Sequence, residues 1–241
     1  MPHVPKWMGD VMENLLASKL LHLRVTDTTP LSTAVRLVRF TGDLRGASNE
    51  AGYAMAFRVN GTEFRNYTPS LFLPEKGICE VIFHLHGNGP GSEYASKLTV
   101  GDTLKVSLPR GRKLYRENPY HFFFGDETTL GVYKGLQREV TRQGGLCTGI
   151  LELDAANAFL PGDMGLTTDI VDKGKPDKAD HLGELLDKNL GASGMPADAF
   201  LYYLMGNARS IQSFRNILKA RGVQNRNIRT QAYWAPGKRG L

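Results

Sequence analysis

The chain has 241 residues, 41% of them hydrophobic and 22% charged, with a formal net charge of +6. That length can bury two ordinary cores. No apolar run is long enough to cross a bilayer, and "MPHVPKWMGDVMENLLASKLLHL" has no cleavable leader pattern, so the expectation is a cytoplasmic protein without membrane insertion.

In chain order, the segment before Lys19 reads as an amphipathic helix packed on the outside of the first domain. From Lys19 to about Arg116, "LLHLRVTDTT", "AVRLVRFTG", "YAMAFRVNG", "EFRNYTPSLFLP", "ICEVIFHLHG" and "DTLKVSLPRG" are short apolar or alternating runs separated by Gly, Pro, Asp and Asn. Six such strands predict a small closed antiparallel β barrel. "EYASKLTV" interrupts them as a helix starting just after Ser92. "YRENPYHF" changes the rhythm, with a linker beginning near Arg116, and the first domain is expected to span residues 1–118.

From 119 to 241 the pattern becomes βαβ and predicts a Rossmann-like parallel sheet. "HFFFGDET" is a buried strand and loop, "TLGVYKGLQREVTRQGG" a helix closed by glycines, and "LCTGILELD" the next strand. "HLGELLDKNLG" reads as helix, "AFLYYLMGNARS" as strand and loop, "SIQSFRNILKARG" as helix and "NIRTQAYWA" as a last strand. Residues 161–180, rich in Gly, Asp and Lys without apolar periodicity, are expected to be an irregular or mobile insertion. Cys79 and Cys147 lie far apart and outside any Cys-x-x-Cys pair, which argues against a disulfide framework, a zinc ribbon and an iron–sulfur cluster, and no metal site is expected.

Two stretches carry chemistry. In "EFRNYTPS", strand alternation puts Arg65 and Tyr67 on one face and Thr68 on the other, offering a cation, a ring and a hydroxyl to a flat anionic ligand; the same spacing also suits an ordinary cross-strand pair. In "GNGPGSEYA", glycines ahead of a helix start let backbone amides approach a phosphate whose charge the helix dipole favours. Ser92 sits where it can cap that helix or donate to a phosphate oxygen, and a plain turn with a cap is the alternative. Together the two stretches fit a dinucleotide.

"RNYT" resembles the Arg-x-Tyr-Ser/Thr flavin motif of the ferredoxin-NADP reductase superfamily, and "IFHLHGNGPGSEYASKLTVGDTLKVSLPRG" resembles its siderophore-interacting protein branch. The matching positions are His86 and Gly87, Gly89 to Ser92 with Gly91 where the branch has Ala, Tyr94 and Ala95, Gly101 and Asp102, and Leu108 to Gly111. "FFGDETTL", "MGNARSIQSFRNIL" and "AYWAPG" continue the likeness in the right order over nearly the whole chain.

The resemblance implies a six-stranded FAD-binding barrel followed by a nicotinamide-binding domain, with FAD as cofactor and NADPH or NADH as donor. Arg65 would pair with the FAD phosphates, Tyr67 would stack near the isoalloxazine and Thr68 would hydrogen-bond its polar edge. Phe83, His84 and His86, with Gly89, Pro90, Gly91 and Ser92, would complete the flavin site. Asp126, Glu127 and Thr128, the turn of Gly206, Asn207 and Arg209, and Trp234 would form the nicotinamide side. Arg110, Arg112, Lys113, Lys238 and Arg239 could frame a cationic mouth for an anionic ferric siderophore. Reduction of iron(III) to iron(II) weakens its hold on hard oxygen ligands, and this electron transfer requires no catalytic acid or base. An alternative keeps fold and flavin but exchanges electrons with a ferredoxin or flavodoxin. A nucleic-acid binder is disfavoured, because the basic residues do not interleave with aromatics and no helix-turn-helix or zinc pattern occurs.

Overall fold

The computed structural model describes residues 20–87, 89–175 and 178–237. The helix expected before Lys19, and Lys238 and Arg239, lie outside the described residues. The chain divides between Leu114 and Tyr115 into two compact units. The division has a local cause in the ring of Tyr115, which stacks on His121 (5.6 Å, 17°) and so packs with the second unit.

The first unit is an antiparallel sheet of seven strands: β1 (Leu20–Pro30), β2 (Val35–Gly42), β3 (Met55–Arg58), β4 (Phe64–Tyr67), β5 (Pro69–Leu73), β6 (Ile78–His84) and β7 (Thr103–Ser107). Alternation sets the inner face: Leu21, Leu23 and Val25 of β1 point into a core with Val38, Phe40, Met55, Phe57, Val81 and Phe83. The strand order is β4-β3-β7-β1-β2-β6-β5, so β4 and β5 are the two edges. Only Thr68 separates them in sequence, and one residue spans less than 4 Å. The sheet therefore curls until its edges meet at Thr68, a barrel joined there by the chain itself.

"EFRNYTPSLFLP", expected as one strand, is two, which makes seven strands in place of six. Pro69 has no amide to continue the β3–β4 ladder, and the chain crosses at that point to pair with β6. Helix α1 (Pro90–Lys97) follows β6.

The second unit is a parallel sheet of β8 (Tyr120–Asp126), β9 (Leu146–Leu153), β10 (Asp169–Asp172), β11 (Leu201–Asn207) and β12 (Ile228–Trp234), ordered β10-β9-β8-β11-β12. Its strands alternate with α2 (Leu130–Arg142), the short α3 (Leu160–Asp163), α4 (Lys178–Ser193) and α5 (Ala208–Ala220). "HFFFGD" is apolar throughout because both faces are covered. Phe123 stacks on Tyr133 of α2 (4.4 Å, 5°), while Phe124 stacks on Phe214 of α5 (4.3 Å, 8°), and α4 adds Leu182 and Leu186 to the Phe124 side.

Residues 161–180 are not an irregular insertion. They contain the end of α3, the edge strand β10 paired with β9, and the start of α4. In "DIVD" only Val171 is buried, so a four-residue edge strand leaves no alternation to read. No helix among the described residues is long and apolar enough to cross a membrane.

Candidate functional site

In the first unit the candidate residues gather where β4, Thr68 and the start of α1 meet. Tyr67 is held edge-on by two core rings, Phe57 (5.5 Å, 83°) and Phe83 (4.6 Å, 62°), and burial pushes its phenol up to about 12. Phe83 is itself completely buried. Its ring is a buttress for Tyr67 and has no surface to offer a ligand.

Gly91 shows that Arg65 and Tyr67 do share a face: a Cβ there would lie 2.5 Å from the Tyr67 hydroxyl and 3.2 Å from Arg65 Cγ. Both side chains thus run against the first turn of α1, and only a glycine admits this approach without movement. The Arg65 guanidinium donates to Glu63 Oε1 and to Phe64 O, each at 2.9 Å, which leaves three of its five N–H donors for other use.

The helix begins earlier than expected. Pro90 is its first residue, suited to that position by its fixed φ and absent amide. Ser92 is therefore inside the first turn and does not cap it; its Oγ accepts from the Gly87 amide at 3.1 Å and ties down the preceding loop. Gly87 (φ +80°) and Gly89 (φ +115°) hold backbone conformations that favour glycine. Glu93 N bonds Gly89 O, so the amides of Gly91 and Ser92 precede the first intrahelical bond.

His84 ends β6, half-buried, and His86 lies beyond the strand, exposed, with ring centroids 5.9 Å apart. Beside α1 runs a groove of about 330 Å³ walled by Val59, Asn60, Tyr94, Lys97 and Leu98, room for part of a dinucleotide rather than the whole. Pro90, Tyr94 and Lys97 share a helix face, a spacing visible in sequence, whereas Val59 and Asn60 are brought to them only by folding.

Of the expected cationic mouth, Arg110 and Arg112 are exposed, Arg110 being anchored by paired backbone bonds to Ala54 (2.9 and 3.0 Å). Lys113 is engaged by Glu50 at 3.0 Å.

In the second unit the strand order makes β8 and β11 the place where the winding reverses, and ligands of open α/β sheets bind outside the carboxyl ends of such strands. Asp126 ends β8 there, with 2% of its surface exposed. Its Oδ1 accepts from Thr128 N (2.9 Å) and the Thr128 hydroxyl, and its Oδ2 from Asn207 N (2.9 Å) and the Trp234 indole Nε1 (2.8 Å). Gly206 (φ +98°) presses on the same carboxylate; a Cβ would lie 2.5 Å from Oδ2. An irregularity in the β11–β12 register turns Trp234 toward this centre. Asp126, Thr128, Gly206, Asn207 and Trp234 thus form one cluster.

Arg209 stands apart, exposed on α5, its amide accepted by the capping Asn207 Oδ1 at 2.8 Å. Glu127 turns inward. Its Oε1 accepts from Asp154 N (2.7 Å) and Asn157 Nδ2 (3.1 Å), and its Oε2 pairs with Lys173. Burial pushes this carboxyl up, but Lys173 and the hydrogen bonds outweigh it and hold the carboxyl below its usual range. Thr129, absent from the expected set, locks the turn by accepting from Asp126 N and donating to Asp126 O (3.1 and 2.7 Å). Thr129 lies within the GDETTL stretch, at the capping-box spacing three residues after Asp126, whereas Lys173 and Asn157 carry no motif and act through contacts made only in the folded chain.

Comparison with known proteins adds to this geometry. The model of the siderophore-interacting FAD-binding domain matches residues 47–113, and that of the siderophore-interacting protein matches residues 118–237. A siderophore utilization protein from T. fusca superposes with a TM-score of 0.69 at 23% identity over 92% of this chain and 95% of that one. The siderophore interacting protein of Acinetobacter baumannii gives 0.71 at 15% identity over 91% and 92%. Among curated relatives, NADH-cytochrome b5 reductase 1 of Cryptococcus neoformans is 31% identical over 102 residues, 39% of this chain and 34% of its own length. The chain spans about a third of that relative. Matched along both of its units, the chain belongs to the siderophore-interacting protein family, with an FAD-binding domain in its first half.

Proposed function

We propose that the protein is a flavin-dependent reductase that passes electrons from NADH or NADPH through FAD to a ferric siderophore and releases iron(II). The observation that carries this reading is the contact of Arg65 and Tyr67 with Gly91 at the first turn of α1. The residues present fit FAD: a cation with unused donors, an aromatic pinned from behind, a glycine-shaped turn and a helix amino end converge at the seam of the barrel. When bound, FAD would supply the redox chemistry, the conversion between two-electron donor and one-electron acceptor, that no side chain of the protein offers. The chain positions and screens. Arg65 and the Gly87 to Gly89 turn serve the phosphates, and Tyr67, fixed by Phe57 and Phe83, serves the ring. Asp126 fixes Asn207 and Trp234 on the donor side. Arg110 and Arg112 supply positive charge for an anionic chelate.

A second reading, electron exchange with a ferredoxin, rests on the sequence after Asp198, which has Lys and Arg but no Asp or Glu. One experiment separates them. Purified protein is examined for flavin absorption, then given a ferric siderophore with NADH, NADPH or reduced ferredoxin while iron(II) is trapped. Iron(II) formed with a nicotinamide is expected; turnover with ferredoxin alone refutes the nicotinamide donor, and protein that takes up no FAD refutes the whole assignment. Arg65→Ala is expected to lose FAD, and full retention removes Arg65 from the site.

A further inference from the structure

We propose that Asp154 makes the donor NADH rather than NADPH, by receiving the adenosine ribose, with Phe159 under the adenine; this rests on the nicotinamide reading above. The sheet order makes β8, β9 and β10 the first, second and third strands of a Rossmann arrangement, 3-2-1-4-5. In that arrangement the carboxyl end of the second strand meets the ribose, where a carboxylate accepts from the 2′-hydroxyl and a cation is needed for a 2′-phosphate.

Asp154 directly follows β9. Both of its peptide groups are pinned, its N–H by Glu127 Oε1 (2.7 Å) and its C=O by Asn157 N (2.8 Å), so the side chain leaves a fixed backbone. That side chain is exposed, and its carboxylate has no hydrogen bond or ion pair among the described residues. It is a preorganised acceptor for a pair of vicinal hydroxyls.

The cations at this end of the sheet are largely spent. Lys173 is paired with Glu127, and Lys178 with the buried Glu152 at 3.3 Å. Among the described residues Lys175, exposed on the turn after β10, remains on this side of the sheet, and Arg209, also exposed, follows β11, two strands away from β9. A 2′-phosphate would bring nearly two negative charges to the exposed carboxylate of Asp154. Phe159 follows Asp154 by five residues and is 50% exposed, the one aromatic ring among the exposed large apolar side chains of the described residues. An uncovered ring beside a nucleotide site is a stacking surface.

The test needs no turnover. Binding of ADP-ribose and of 2′-phospho-ADP-ribose to the FAD-loaded full chain is measured by calorimetry. Wild type is expected to favour ADP-ribose by about tenfold or more, the scale of one charge-assisted contact exchanged for a like-charge one. Asp154→Ser should bring the two within about threefold, chiefly by admitting the 2′-phosphate. Phe159→Ala should weaken both alike and leave their ratio intact. Equal or tighter binding of the 2′-phosphate by wild type, or an unchanged ratio in Asp154→Ser, overturns the proposal, and in the first case Lys175→Ala tells whether that lysine holds the phosphate. Failure of both ligands to bind overturns the nicotinamide reading itself.

Discussion

Replacing Asp126 by Asn tests the cluster at the switch point with a change of almost no volume. The carboxylate serves two sides: Thr128 N and hydroxyl on Oδ1, Asn207 N and Trp234 Nε1 on Oδ2. An amide has one accepting oxygen. Its better orientation keeps Asn207 and Trp234, turns its NH2 toward Thr128 N, and leaves that half-buried amide without an acceptor. The opposite orientation strands two donors. Bonds to a charged acceptor contribute about 1.5–3 kcal/mol each and a stranded buried donor costs about 1–3 kcal/mol, so roughly 2–4 kcal/mol of stability should be lost. Urea unfolding read by indole emission measures this, in a Trp7→Phe background where Trp234 is the remaining tryptophan. A cycle with Trp234→Phe, followed by far-ultraviolet circular dichroism because those variants have no indole left, should give a coupling of about 0.5–3 kcal/mol. A loss below about 0.5 kcal/mol, the range of an ordinary surface change, would refute the view of Asp126 as the hub of this cluster.

Gly91→Ala should push Tyr67 off its ring contacts or lift α1: overpacking of about 1–3 kcal/mol exceeds the helix-propensity gain of up to about 1 kcal/mol. FAD titration and thermal melting read it, and an unchanged protein would show that Tyr67 yields freely. Glu127 has a lowered folded-state pKa, so its stabilisation is present above its unfolded value near 4.3 and is lost as pH falls through the folded one. Unfolding free energies should therefore fall with acid in wild type and flatten in that window in Glu127→Gln. Lys173→Met leaves a fully buried carboxylate unpaired and should cost about 3–5 kcal/mol at neutral pH; a loss below about 1 kcal/mol would contradict the ion pair's role. His121 is stacked between Tyr115 and Tyr203, and burial lowers its pKa despite the acceptor Asn118 O. Stability is thus lost as pH falls below the unfolded value near 6.5, and His121→Phe should abolish that higher-pH slope while leaving the Glu127 slope in place.

Periodicity marks the elements well where burial is one-sided or complete, as in β1, whose Leu21, Leu23 and Val25 alternate with exposed residues, and in β8, apolar on both faces. It fails at β10, where a single buried valine gives no period, and at "EFRNYTPSLFLP", where composition is strand-like throughout and the break lies in which partner each half pairs with. The same limit applies to the candidate residues. Arg65, Tyr67 and Gly91 stand out as a pattern, but Phe83 is apolar like any barrel residue, and only its position behind Tyr67 makes it a support.

Sequence alone determined the class of fold, the succession of strands and helices, and the glycine-rich turn ahead of α1, because these depend on local conformational preference and on which side of each element is apolar. Tertiary structure decided that Thr68 joins the two edges of a curled sheet, that Glu127 points inward to Lys173 while Asp126 collects Asn207 and Trp234, and that Asp154 is left with an open carboxylate. Hydrogen bonds and charge pairs between residues up to 108 positions apart have no period along the chain. They exist only once packing has brought their partners within a few ångströms.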